Sequence, residues 1–284
     1  MSMICDCHMH MVLDGYDWKA AIARHQARPD DTFIHRTLAA YRNAGYTYLR
    51  DGGDRWGVGK RAKALSADYG IRYRTPLANL CHKGHYGGFI GTTYENLRQY
   101  HALVKQQRTD GADFIKIMIS GLMDFNRFGV LSEEGLSADF IRELVHIAHE
   151  EGFAVMAHAN GARTMEAAAL AGVDSIEHGA YADSDALQAM AENGTIWVPT
   201  VSAVANLLGK GRFDDETVAA IVSHTGNRLQ QFAAMGGLIA CGSDAGAWAV
   251  PHGCKTEMDH LRRILGPDAD TILSQGNRTI MDKF

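Results

Sequence analysis

The sequence predicts a single (β/α)8 TIM barrel of the α/β class, with no accompanying β-sandwich domain. Three observations carry that expectation. Short strand-like runs alternate with longer helical stretches from end to end, the pattern of parallel strands joined by crossover helices. Eight such runs can be placed, and no G-x-G-x-x-G follows the first, which favours a closed barrel over a dinucleotide-binding sheet. Side chains able to bind metal fall at the C-terminal ends of several runs, the edge where a barrel carries its site. The 284 residues suit such a barrel, which commonly fills about 250 residues as one unit, so residues 1–284 are read as one domain.

The strands are expected at Met3–Cys7, Thr47–Asp51, Arg72–Leu77, Phe114–Met118, Ala154–His158, Ser175–Glu177, Ile196–Pro199 and Leu238–Gly242. Helical patterns between them include Ala138–Glu151, Ala162–Ala171, Asp185–Asn193 and Glu216–Met235. Gly45, Gly70, Gly152, Gly172, Gly194 and Gly236 each end a helical stretch just before a strand, where the left-handed C′ position favours glycine. Long connections follow predicted strands at Asn79–Tyr94, Ser120–Ser132 and Thr200–Asp214. Loops of that length on that face are where substrate is met.

Composition narrows the function. A net charge of -5 without a block of Lys or Arg gives no footprint for nucleic acid. Apolar runs are interrupted well before the roughly 20 residues of a membrane span. The expected partner is a small molecule, and a homo-oligomer is compatible with the chain. The 5 cysteines are odd in number and too sparse for a disulfide framework. The segment MSMICDCHMH has neither the basic nor the apolar region of a signal peptide, so a cytoplasmic location is expected.

The first strand runs into His8-Met9-His10, and strand alternation sends His8 and His10 the same way, with Asp6 on that face too. Two imidazoles projecting together can chelate a metal, although a loop pair would give the same spacing. Lys116 stands alone in the apolar run Phe114–Ile119, where a lysine is costly unless paired, neutralised or snorkelling to a strand end. His158 and His178 end the fifth and sixth runs, and Asp244 follows the eighth. Each alone reads as a structural histidine or a turn aspartate. Together, at the ends of strands one, four, five, six and eight, they have no common explanation in turn chemistry.

These pieces resemble the amidohydrolase superfamily: Asp6-Cys7-His8-Met9-His10, Phe114-Ile115-Lys116, Ala157-His158-Ala159-Asn160-Gly161, Ile176-Glu177-His178-Gly179 and Gly242-Ser243-Asp244-Ala245-Gly246. Leu49-Arg50-Asp51-Gly52-Gly53 and Val250-Pro251-His252-Gly253 are similar to its imidazolonepropionase and prolidase-like branch. The resemblance implies two divalent ions, most naturally Zn²⁺, with Mn²⁺ and Fe²⁺ as alternatives. His8, His10 and Asp244 would hold the first and His158 and His178 the second. Lys116, carboxylated by carbon dioxide, would bridge them. It further implies hydrolysis by an activated water, with Asp244 as the catalytic base. The loop Lys83-Gly84-His85-Tyr86-Gly87 is nearest to the branch's Gly-Gly-His-Gly pattern. His85 and Tyr86, with His82, Trp248 and His252, are the expected substrate contacts.

Most members of the branch carry a small β-sandwich built from segments flanking the barrel. The first predicted strand begins at the third residue and Asp268–Phe284 has no β-sandwich pattern, so the barrel is expected to stand alone. The expected reaction is cleavage of a C–N bond in a small amide, dipeptide or cyclic amide. A lactonase or phosphoester hydrolase would use the same ligands, and a non-catalytic metal-binding barrel is the reading of a different class.

Overall fold

A computed structural model describes residues 4–284, so Met3, the expected start of the first strand, lies outside the described residues. Among the described residues there are nine strands: β1 Ile4–Met9, β2 Tyr46–Asp51, β3 Arg72–Arg74, β4 Leu80–His82, β5 Thr92–Tyr94, β6 Ile115–Met118, β7 Val155–Ala159, β8 Ser175–His178 and β9 Ile196–Val198. All pair in parallel, in two sheets ordered β1-β2-β3 and β5-β4-β6-β7-β8-β9. The arrangement is that of an α/β fold consistent with a TIM barrel.

Local chemistry sets the helices where the sequence places them. In helix Ala138–Glu150, Ser137 accepts from the Phe140 amide, and Ile141, Leu144, Val145 and Ala148 form the buried face. Burying each large aliphatic side chain contributes about 1.5–3 kcal/mol. The other three expected helices form at Ala162–Leu170, Ser184–Asn193 and Asp215–Ala234. All six helix-terminal glycines have positive φ. The segment Ala269–Lys283 is a helix, and among the described residues no helix is long and apolar enough to cross a membrane.

Three strand expectations change. The third strand stops at Arg74, because Pro76 has no amide to donate and Leu77 takes φ 66. The expected loop Asn79–Tyr94 holds two short strands, β4 and β5, and β4 takes the place beside β6 that the longer third strand was expected to fill. Leu238–Gly242 forms an isolated bridge from Ile239 to Trp197 instead of a regular strand. It still spans the space between β9 and β1: the Ala240 amide donates to Trp197 O at 2.9 Å and the Cys7 amide to Cys241 O at 2.8 Å. Across the opposite seam, the Asp113 amide donates to Thr75 O at 3.0 Å, and Asp113 Oδ2 accepts from the Thr75 amide at 2.9 Å.

Strand alternation sorts the side chains. Ile115, Ile117, Val155, Ala157 and Ile176 join the cluster that the helices complete. Their neighbours Lys116, Met156, His158, Ser175 and Glu177 belong to the other face. Cys5, Cys7, Met156, Ile196, Val198 and Phe284 make an apolar layer beneath the polar residues.

Candidate metal centre

The register carries the candidate ligands to one level, with Met118 opposite His158 and Ala159 opposite His178. His8, His10, Lys116, His158, His178 and Asp244 all line one cavity of about 490 Å³. His8, His10 and Asp244 converge most tightly, with one ligand atom from each within 4.8 Å of the others. His8 Nε2 and His10 Nε2 are 3.3 Å apart and lie 3.5 and 3.3 Å from Asp244 Oδ1. The His158 and His178 rings adjoin each other, centroids 4.6 Å apart, and His178 lies 5.0 Å from His8.

Hydrogen bonds select the nitrogens. His8 Nδ1 pairs with Glu177 Oε2 at 2.6 Å, His178 Nδ1 with Thr200 Oγ1 at 2.7 Å, and His158 Nε2 with Gly121 O at 3.2 Å. These leave His8 Nε2, His178 Nε2 and His158 Nδ1 as the ligating candidates. Burial, aided by the Lys116 charge, pushes the His158 pKa down to about 3; burial also holds His8 and His178 well below the usual range. All three are therefore neutral at pH 7, the form that binds metal.

Lys116 is the anomaly. Its Nζ is buried without a hydrogen-bond partner, and burial lowers its pKa to about 8. A buried amine of that kind is expensive unless something else occupies the site with it. The orphaned amine and the convergent His8, His10 and Asp244 donor set fit a site for a divalent metal ion. The backbone is also strained here: His178 (φ 68), Thr200 (φ 49) and Asp244 (φ 56) are non-glycine residues in the left-handed region. Gly52 makes room for the cluster, since a Cβ there would collide with the His10 ring.

Asp6 does not share the His8 face. Asp6 pairs with Leu49 but Met9 with Asp51, so β1 carries one extra residue that breaks the alternation. Asp6 instead accepts from the Ser243 amide and hydroxyl at 2.8 and 2.6 Å and from Tyr41, anchoring the segment that bears Asp244.

The carboxylate that orients His8 is Glu177, a residue sequence reasoning gave no role. Fully buried Arg50 donates to Glu177 Oε1 at 2.8 Å, to Ser175 Oγ and to Cys7 O, with its guanidinium over the Phe284 ring. A signal existed: two opposite charges inside two buried strands. Because such carboxylates typically set metal affinity by about 10–100-fold, Glu177→Gln is expected to weaken metal binding by that factor. A titration giving unchanged affinity would remove Glu177 from this role.

Of the expected substrate contacts, Tyr86 and Trp248 line the cavity, and Tyr86 lies 4.8 Å from the His158 ring. His82, His85 and His252 are not among the lining residues. His252 is turned away, bonded to Leu13 O and the Tyr41 hydroxyl. His82 Nδ1 meets Lys83 O, and His85 lies 3.5 Å from Glu133, whose carboxylate accepts from the Tyr86 amide.

The sequence profile of the Amidohydrolase family matches residues 38–262. Ochratoxinase of Aspergillus niger is 27% identical over 241 residues, 72% of this chain and 48% of that protein. An uncharacterised protein of Mycobacterium tuberculosis is 29% identical over 179 residues, 60% of this chain and 47% of its own length. The chain thus spans about half the length of the curated relatives it matches. Among solved structures, an Xaa-Pro dipeptidase with bound methionine superposes with a TM-score of 0.79 at 23% identity, over 99% of this chain and 75% of that one. The A. niger ochratoxinase structure gives 0.79 at 23%, over 99% and 71%. The profile covers most of the chain: this chain belongs to the amidohydrolase family.

Proposed function

We propose that the chain is a binuclear metal-dependent hydrolase that cleaves a C–N bond in an amide, dipeptide or cyclic amide. The observation that carries this reading is the single cavity lined by four histidines, Asp244 and a buried lysine with no partner. Similarity to an Xaa-Pro dipeptidase and to ochratoxinase supports the choice of bond. The bonds across both seams support a barrel closed by eight staves, with β3 and β4 sharing the third and Leu238–Gly242 forming the eighth.

His8, His10 and Asp244 would hold one ion, His158 and His178 the other, and a carboxylated Lys116 would be shared. A pKa near 8 leaves part of the Lys116 population as the free amine, which would add carbon dioxide and lose one proton to water, giving an anionic carbamate that metal cations would balance. Imidazole and carboxylate donors suit Zn²⁺, with Mn²⁺ and Fe²⁺ as alternatives. When bound, such ions supply a water of lowered pKa and a Lewis acid for the scissile carbonyl.

The chain's own groups carry the protons. Asp244 takes a proton from the attacking water and passes it to the leaving nitrogen. Glu177 keeps the His8 proton on Nδ1. Burial and the nearby Asp244 charge keep the Tyr86 phenol protonated, a ready donor for a substrate carbonyl. Tyr86→Phe should reduce kcat/KM by about 2- to 10-fold, the cost of one neutral hydrogen bond, without loss of metal. Unchanged kinetics on every accepted substrate would retire that contact.

Assays with N-acyl amino acids, dipeptides, lactones and phosphoesters test the function. Turnover is expected on the first two, abolished by chelation and restored by Zn²⁺. Turnover confined to lactones or phosphoesters would move the reaction to that bond. No turnover after full metal reloading would favour a non-catalytic metal-binding barrel.

A further inference from the structure

We infer that the substrate joins a bulky ring-bearing group to a carboxylate, and that Arg212 is the residue that selects the carboxylate. The inference rests on the hydrolytic reading above and specifies its substrate. A cavity of about 490 Å³ is in the range of those that enclose drug-sized ligands. Above the polar floor its walls are aromatic. Trp18 and Phe89 meet edge to face at 5.6 Å. Phe213 lies 5.0 Å from Phe125 and 6.4 Å from Trp248. Trp18 remains 46% exposed at the cavity wall, so apolar surface is left in water that a ring system would cover. A small polar dipeptide would leave those walls wet.

Apart from Lys116, Arg212 is the only lysine or arginine on the lining among the described residues. Its guanidinium sits over the Trp248 ring at 4.6 Å and the Phe213 ring at 5.2 Å, and it makes no ion pair among the described residues. Stacking holds the guanidinium plane while leaving its N–H edges free, the geometry that takes a carboxylate through two parallel hydrogen bonds. An arginine so placed beside an apolar chamber discriminates between an acid and its neutral counterpart.

Binding can be read without turnover, using ketomethylene analogues in which CH2 replaces the amide NH. Three ligands suffice: the analogue of N-naphthoylglycine, its carboxamide, and the analogue of N-acetylglycine. Titration into the metal-loaded protein should show the naphthyl acid binding about 10-fold tighter than either of the others, a figure reduced for the solvent exposure of Arg212. Arg212→Gln should erase the preference for acid over carboxamide, keep that for naphthyl over methyl, and leave the melting temperature unchanged. Arg212→Lys should restore part of the acid preference. Equal binding of acid and carboxamide would overturn the inference. So would an Arg212→Gln variant that still prefers the acid, which would send the carboxylate to the metals, or a methyl analogue that binds as well as the naphthyl one. Since none of these readouts involves hydrolysis, a protein that binds as expected but cleaves nothing fails only the hydrolytic reading.

Discussion

Asp244→Asn is expected to lower kcat by about 10²–10⁴-fold, the usual contribution of a positioned general base, with the fold intact and much of the metal retained. Asp244 lies within reach of both histidines of the first strand and lines the cavity. Asparagine keeps one oxygen for a metal but cannot take a proton from water. The exchange also respects the backbone: Asp244 has φ 56, a conformation asparagine adopts nearly as readily, and its amide still donates to His8 O at 2.7 Å. Alanine would confound the result by adding backbone strain. A variant with near-normal kcat and full metal content would end the assignment of Asp244 as base.

Lys116→Met is expected to move stability and function in opposite directions. Methionine fills the space of the stem and removes an amine that is buried without a partner, so the metal-free protein should gain about 1–3 kcal/mol. The metal-loaded protein should fall from near two divalent ions per chain to one or fewer, and hydrolysis should be lost with the bridging ligand. Chemical denaturation of the metal-free proteins and elemental analysis of the loaded ones measure the two effects separately. Two retained ions with normal turnover would refute the bridge. Lower metal-free stability in the variant would mean that the amine has a protein partner.

The sequence by itself determined the α/β class, four helices to within a residue or so, most of the strands that carry the site, and the candidate ligands at their ends. Those features are local: helix caps and apolar periodicity are read within a few residues, and strand alternation sends Lys116 and His158 to the interior whatever surrounds them. Tertiary structure alone decided what depends on contacts between distant segments. His178 shares the parity of Ile176, which faces the helices, and reaches the cavity through a left-handed turn held by Thr200 and Trp197. Asp6 parts from His8 because of a register shift against β2. Glu177 orients His8 because Arg50, 127 positions away in the chain, neutralises it in the interior. His252 and Trp248 stand four residues apart, yet one is bonded to Leu13 and Tyr41 while the other walls the cavity with Arg212 across it. Hydrogen-bond partners and cation–π stacking are properties of proximity in space, and spacing along the chain carries no record of them.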